Sequence, residues 1–188
     1  MSPHSIAVYS LNRMRWTVHG ERHIYTSDWV SVSLVDVEVP DGERFEHHVI
    51  RHPRHAAGTV VHHPDRGVLL LWRHRFITDT WGWEIPAGGI EPDETAIAAA
   101  ERETVEETGW RPHSLRAVGA YAPSNGISDQ EFHIFVANDA TYEAEPTDPA
   151  ESSRIEWVPT DEVRKLVADG AVHDGLSLTG LLWSLAWP

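Results

Sequence analysis

Pro86-Ala87-Gly88-Gly89-Ile90-Glu91-Pro92-Asp93-Glu94-Thr95-Ala96-Ile97-Ala98-Ala99-Ala100-Glu101-Arg102-Glu103-Thr104-Val105-Glu106-Glu107-Thr108-Gly109-Trp110 is the stretch that decides how this chain is read. From Asp93 to Thr108 it contains no Gly or Pro, which predicts a helix of about four turns with Asp93 as N-cap and Gly109 just past the C-terminus. At 100° per residue, Glu103, Glu106 and Glu107 share one arc of that helix. Like charges at these spacings repel, and the C-terminal half of a helix disfavours anions. Ala96, Ala99 and Ala100 share the arc one and two turns earlier, so nothing bulky blocks it, and no lysine interleaves the acids. Two readings stay open: a solvated acidic face, or a cradle for a hard dication, which takes oxygen ligands. The Pro86-Ala87-Gly88-Gly89 segment ahead of it predicts a tight turn with backbone carbonyls aimed at a ligand.

Working outward, alternation over Arg22–Val49, broken by Pro40-Asp41-Gly42, predicts a hairpin in the first third of the chain. Short strands are expected at Ala57–Val61, Val68–Trp72, Trp81–Ile85, Leu115–Tyr121, Glu131–Ala137 and Ile155–Val158, and helices at Asp161–Ala168 and Leu176–Trp187. The class is α+β, a sheet covered by a few helices.

With 188 residues the chain fits one domain, or one with a small extension. Its formal charge of −14 lacks the basic footprint of a nucleic-acid binder, yet permits phosphate chemistry through bound cations. The absence of cysteine excludes disulfides, thiolate metal sites and cysteine nucleophiles. No apolar stretch is long enough to span a membrane, and Met1–Val18 does not read as a signal peptide, so a cytoplasmic protein is expected.

The spacing Gly88, five residues, Glu94, seven residues, Arg102-Glu103-Thr104-Val105-Glu106-Glu107-Thr108-Gly109-Trp110 resembles the Nudix box of the Nudix hydrolases. Thr104 departs from it where an aliphatic residue is usual. The resemblance implies an α/β/α sandwich with a mixed sheet plus N-terminal antiparallel strands, and hydrolysis dependent on Mg2+, with Mn2+ as a substitute. It implies Glu103 and Glu107 as metal ligands, Glu106 as a further ligand or water-orienting carboxylate, and the Ala87 carbonyl completing one site. Gly88, Glu94, Arg102 and Gly109 take structural roles in the motif, Glu94 pairing with Arg102.

Trp83-Glu84-Ile85-Pro86-Ala87-Gly88 and Tyr121-Ala122-Pro123-Ser124-Asn125-Gly126-Ile127-Ser128-Asp129 are similar to segments of the ADP-ribose pyrophosphatase branch. That likeness implies substrate contacts at Arg75, Glu84, Pro123, Ser128 and Asp129. It also implies a homodimer in which residues 1–52 form a strand extension exchanged between subunits beside a hydrolase domain at 53–188. Asn125 is inserted relative to the branch's loop, Gln130 replaces an acid, and Arg73-His74-Arg75 replaces its Gln-Tyr-Arg. For the general base, Glu106 and Glu151 are rivals, Glu151 lying in a Thr141–Arg154 loop expected to be mobile. Trp29 and Trp81 are open to two readings, nucleobase stacking or core packing. The expected reaction is cleavage of ADP-ribose or a related nucleoside diphosphate sugar to a nucleoside monophosphate and a sugar phosphate, with no nucleic-acid or membrane partner. A housecleaning nucleoside triphosphate pyrophosphatase and a non-catalytic nucleotide-sensing domain are the alternatives.

Overall fold

The computed structural model describes residues 15–147 and 152–186, so Glu151 and Trp187 lie outside the described residues. The chain divides into two compact units, Met1–Pro53 with Gly126–Asp129, and Arg54–Asn125 with Gln130–Pro188.

In the first unit, β1 (Thr17–Thr26), β2 (Ser31–Glu38) and β3 (Arg44–Arg51) form an antiparallel sheet in that order. The β2–β3 pair is the hairpin read from the sequence; its turn holds Gly42 at φ 92°, a conformation glycine adopts without steric cost. Ser33, Val35 and Val37 are buried in period-2 alternation, which made β2 readable. Strand β1 starts earlier than expected because all ten of its residues are exposed, leaving no alternation to detect. Residues 126–129 join this unit through Ile50 N to Ile127 O (2.7 Å) and His52 N to the Asp129 carboxylate (2.9 Å).

The second unit runs β4 (Ala56–His63), β5 (Gly67–Arg75), β6 (Thr80–Glu84), β7 (Ala87–Gly89), α1 (Ala96–Thr108), β8 (Trp110–Pro112), β9 (Arg116–Tyr121), β10 (Phe132–Ala137), β11 (Ala140–Tyr142), β12 (Arg154–Val158), α2 (Thr160–Ala168) and α3 (Gly175–Ala186). The main sheet has the order β12-β5-β4-β10-β9, with β6 on β5 and β7 on β4. Only the β4–β10 pair in it is parallel, so the sheet is mixed. Ala99 and Ala100 of α1 pack with Ala57 and Phe135, while Val60, Val68, Leu70, Ile85 and Ile134 pack with Leu176 and Leu181 of α3. The result is an α+β sandwich around a mixed sheet. No helix among the described residues is long and apolar enough to cross a membrane.

Four expectations need correction. The helix starts at Ala96, capped by Thr95, whose hydroxyl accepts from Ala98 N; Asp93 instead occupies a tight turn at φ 66°. Glu94 fixes that turn by accepting from Glu91 N (3.1 Å), which delays the first helical residue. The alanine arc does not open access: Ala99 and Ala100 are fully buried and let α1 approach the sheet. Residues 87–89 form β7 rather than a free turn, and the carbonyls beside them are engaged, Pro86 O by Thr59 N (3.0 Å) and Gly89 O by Arg102 (2.9 Å), as buried carbonyls require. Finally, the described first half of the Thr141–Arg154 stretch is pinned. Tyr142 lies in β11, Glu143 N bonds Gly109 O (2.8 Å), and Thr147 N bonds Glu106 O (2.9 Å), satisfying carbonyls at the end of α1.

Candidate active site

The C-terminal half of α1 and the backbone at 87–89 bring the acidic residues together. Gly109, at φ 75°, closes α1 by donating to Val105 O (2.8 Å); a Cβ there would sit 1.9 Å from Ala144 O. Glu107 is the buried member. Its Oε2 accepts from Ala87 N (2.9 Å) and its Oε1 from Arg73 Nη2 (2.6 Å). Burial pushes its carboxyl up to about 7, against the opposing pull of Arg73 and the Ala87 N–H. Glu103 lies directly over Gly88, where a Cβ would come within 2.2 Å of the Glu103 carboxyl carbon. Any side chain there would have to displace the Glu103 carboxylate from this position.

No lysine interleaves the acids, and two arginines supply their counter-charge. Arg102 forks onto Glu94 (2.9 and 2.8 Å), Glu103 (2.7 Å), Glu106 (3.1 Å) and Gly89 O (2.9 Å). It holds the Glu94 carboxyl below the usual carboxylate range and ties the turn to the helix. Arg73, on β5, serves Glu107 from the sheet side and also reaches Ser152 Oγ (3.0 Å). Glu84 is buried on β6, bonded by Arg75 Nε (2.9 Å), with Arg73 Nε 3.9 Å away. Glu107, Arg73, Glu84 and Arg75 thus form one continuous row of alternating charge.

The donor set of Glu103, Glu106 and Glu107 is oxygen only, which suits a hard dication. Among the described residues no three acidic or histidine side chains already converge on a single point, and Arg73 and Arg102 bond the oxygens of Glu103, Glu106 and Glu107. Glu103, Glu106 and Glu107 offer the carboxylate oxygens that a dication takes, beside the guanidinium groups already bonded to them.

The other sequence-predicted residues are distributed between the units. Pro123 is in the exposed turn after β9. Trp29, 80% exposed, Ser128 and Asp129 belong to the N-terminal unit, where Asp129 is engaged by His52 N and lies 3.5 Å from Arg51. The Trp81 ring stacks on Trp72 with centroids 6.2 Å apart. Thr104 is buried and returns its hydroxyl to Ala100 O (2.6 Å), a helix-internal bond that explains how a polar residue is tolerated at the box's aliphatic position. Arg73 and Ser152 were missed. The available signal was Arg73 at the end of the buried row Leu69, Leu71, where strand alternation calls for an apolar side chain.

Residues 52–176 match the family model of the NUDIX domain. The chain belongs to the Nudix family. This Nudix hydrolase is 40% identical, over 90% of its length and 82% of the relative's, to the CMP-5'-(N-acetyl-N-hydroxy-3-aminopropyl)phosphonate hydrolase of Streptomyces rubellomurinus. It is 28% identical to the ADP-ribose pyrophosphatase of Bacillus subtilis, covering 82% of this chain and 84% of that protein. The crystal structure of an ADP compounds hydrolase superposes with a TM-score of 0.80 at 22% identity, covering 92% of this chain and 94% of that one, and shows the shared fold.

Proposed function

We propose that this Nudix hydrolase cleaves the diphosphate bond of ADP-ribose or a related nucleoside diphosphate sugar, water entering as a nucleoside monophosphate and a sugar phosphate leave. The observation that carries this is the Glu103, Glu106 and Glu107 face, held over Gly88 and anchored to Ala87 N. Glu103, Glu106 and Glu107, with the Ala87 carbonyl, are the residues that would hold Mg2+, or Mn2+ in its place. Such ions neutralise charge on the diphosphate oxygens and acidify water.

The chain's own residues do the rest. Arg75 is half exposed; with Nε and Nη2 donating to Glu84, its Nη1 is left for a phosphate oxygen. Glu84 orients that guanidinium. Glu106, at 44% the most exposed of the three acids, is the candidate to take the proton from water, with Glu151 its rival. Trp29, Pro123, Ser128 and Asp129 are assigned to substrate, and residues 1–52 to exchange within a homodimer acting in the cytoplasm. A second reading follows from the 40% identity to the Streptomyces enzyme: a phosphonate in place of the sugar phosphate, with CMP as the nucleotide.

The test is a hydrolysis panel with Mg2+ present or chelated, covering ADP-ribose, other nucleoside diphosphate sugars, a CMP-linked phosphonate and nucleoside triphosphates, with products identified by mass. Metal-dependent release of AMP and ribose 5-phosphate establishes the first reading; preference for the CMP conjugate establishes the second. Turnover of triphosphates alone would overturn both.

A further inference from the structure

Strand β5 sends Leu69, Leu71 and then Arg73 to one face of the sheet, so a guanidinium 5% exposed stands where two leucines precede it. A charge so placed must be paired. Arg73 donates to Glu107 Oε1 at 2.6 Å and to Ser152 Oγ at 3.0 Å. Ser153, next in the chain, docks on the same strand: its N and Oγ both donate to Trp72 O, at 2.9 and 3.1 Å. Ser152 is therefore a fixed second anchor, and the guanidinium stays beside Glu107 independently of α1. Arg102 differs, since it sits on the helix itself and its side chain is 26% exposed.

We propose that Arg73 is a positioning residue that sets the divalent-cation affinity of Glu107, a fixed positive charge that orients the carboxylate and competes with the cation for it. The inference rests on the reading of Glu107 as a cation ligand. Two consequences of the contact oppose each other. Fixing the carboxylate favours cation binding, as outer-shell partners of metal ligands do. The anchored charge repels a dication a few ångströms away, and burial leaves that repulsion weakly screened. Repulsion outweighs orientation here because Ser152 prevents the guanidinium from withdrawing when the ion arrives.

The experiment is Mn2+ binding to the free protein, all variants at the same pH, with free ion counted by electron paramagnetic resonance. Arg73→Gln removes the charge, and its affinity should rise about tenfold. Ser152→Ala keeps the charge but frees it to move, so its affinity should rise about threefold. The second variant alters only a hydroxyl, so the test survives if the first does not fold. The Arg73→Gln enzyme should also lose kcat at saturating metal, because the carboxylate is no longer oriented. Unchanged or weaker Mn2+ binding in the folded variants would overturn the proposal and leave Arg73 an orienting partner only. Glu107→Gln separates the two levels. If it does not weaken Mn2+ binding, the ligand reading itself fails; if it does while Arg73→Gln and Ser152→Ala bring no gain, only this inference fails.

Discussion

The N-terminal sheet and the 87–109 segment use the same arginine–carboxylate pairing under opposite conditions. In the sheet, Arg22–Glu46 (3.0 Å), Arg44–Asp36 and Arg51–Glu21 (3.0 Å) cross between strands with every side chain 30% or more exposed. Pairs of that kind contribute about 0–1 kcal/mol each. Around the candidate site, Arg73 and Glu107 are 5% and 7% exposed, and Arg102 gathers three carboxylates. Arg73 and Glu107 have given up hydration and depend on one another. Burial, not the presence of a pair, separates a surface contact from a site.

The comparison breaks hardest at Glu107. Glu107→Gln should lower kcat for ADP-ribose with Mg2+ by on the order of a hundred- to a thousandfold, with circular dichroism unchanged; steady-state kinetics check it. Next is Arg102→Ala, which removes the positive charge shared by Glu94, Glu103 and Glu106 and should cost about 3 kcal/mol in denaturant unfolding. A loss below about 1 kcal/mol would place Arg102 with the sheet pairs instead.

A pH series sharpens the contrast. The folded carboxyl of Glu107 titrates near 7, above its ordinary 4.5, so the folded state holds this proton more tightly than the unfolded chain. That contribution is fully present below about 4.5 and is lost as pH rises through about 7, so metal-free thermal stability should fall across this window. Glu107→Gln should flatten the trend, as differential scanning calorimetry would show. The smallest effect belongs to the sheet: Arg22→Ala should change unfolding free energy by less than about 0.5 kcal/mol, measured in denaturant.

Much of this was legible in the sequence. The β2 alternation, the apolar β4 and β5 runs and the Gly109 stop each write a local rule into a few residues; all lie within a residue or two of where they were read, save that β5 runs three residues past Trp72 to Arg75. Strands β8 and β11 were invisible because three residues carry no period. The helix start moved from Asp93 to Thr95 because a tertiary contact, Arg102 on Glu94, fixes the preceding turn, and spacing does not report contacts. The acidic face was readable from its 3.6-residue period. Its counter-ions were not, since Arg73 reaches Glu107 from 34 residues away.

Strand β1 has a consequence for how the protein behaves when concentrated. Among the described residues no strand pairs its outer edge, and an open row of backbone donors and acceptors invites fibrillar stacking. Its register with β2 slips twice, at Val18/Gly20 and at His23/Tyr25, and Glu21 and Arg22 stand between the slips. An added strand would lose step at each of them. Those register slips act as a guard against runaway self-association.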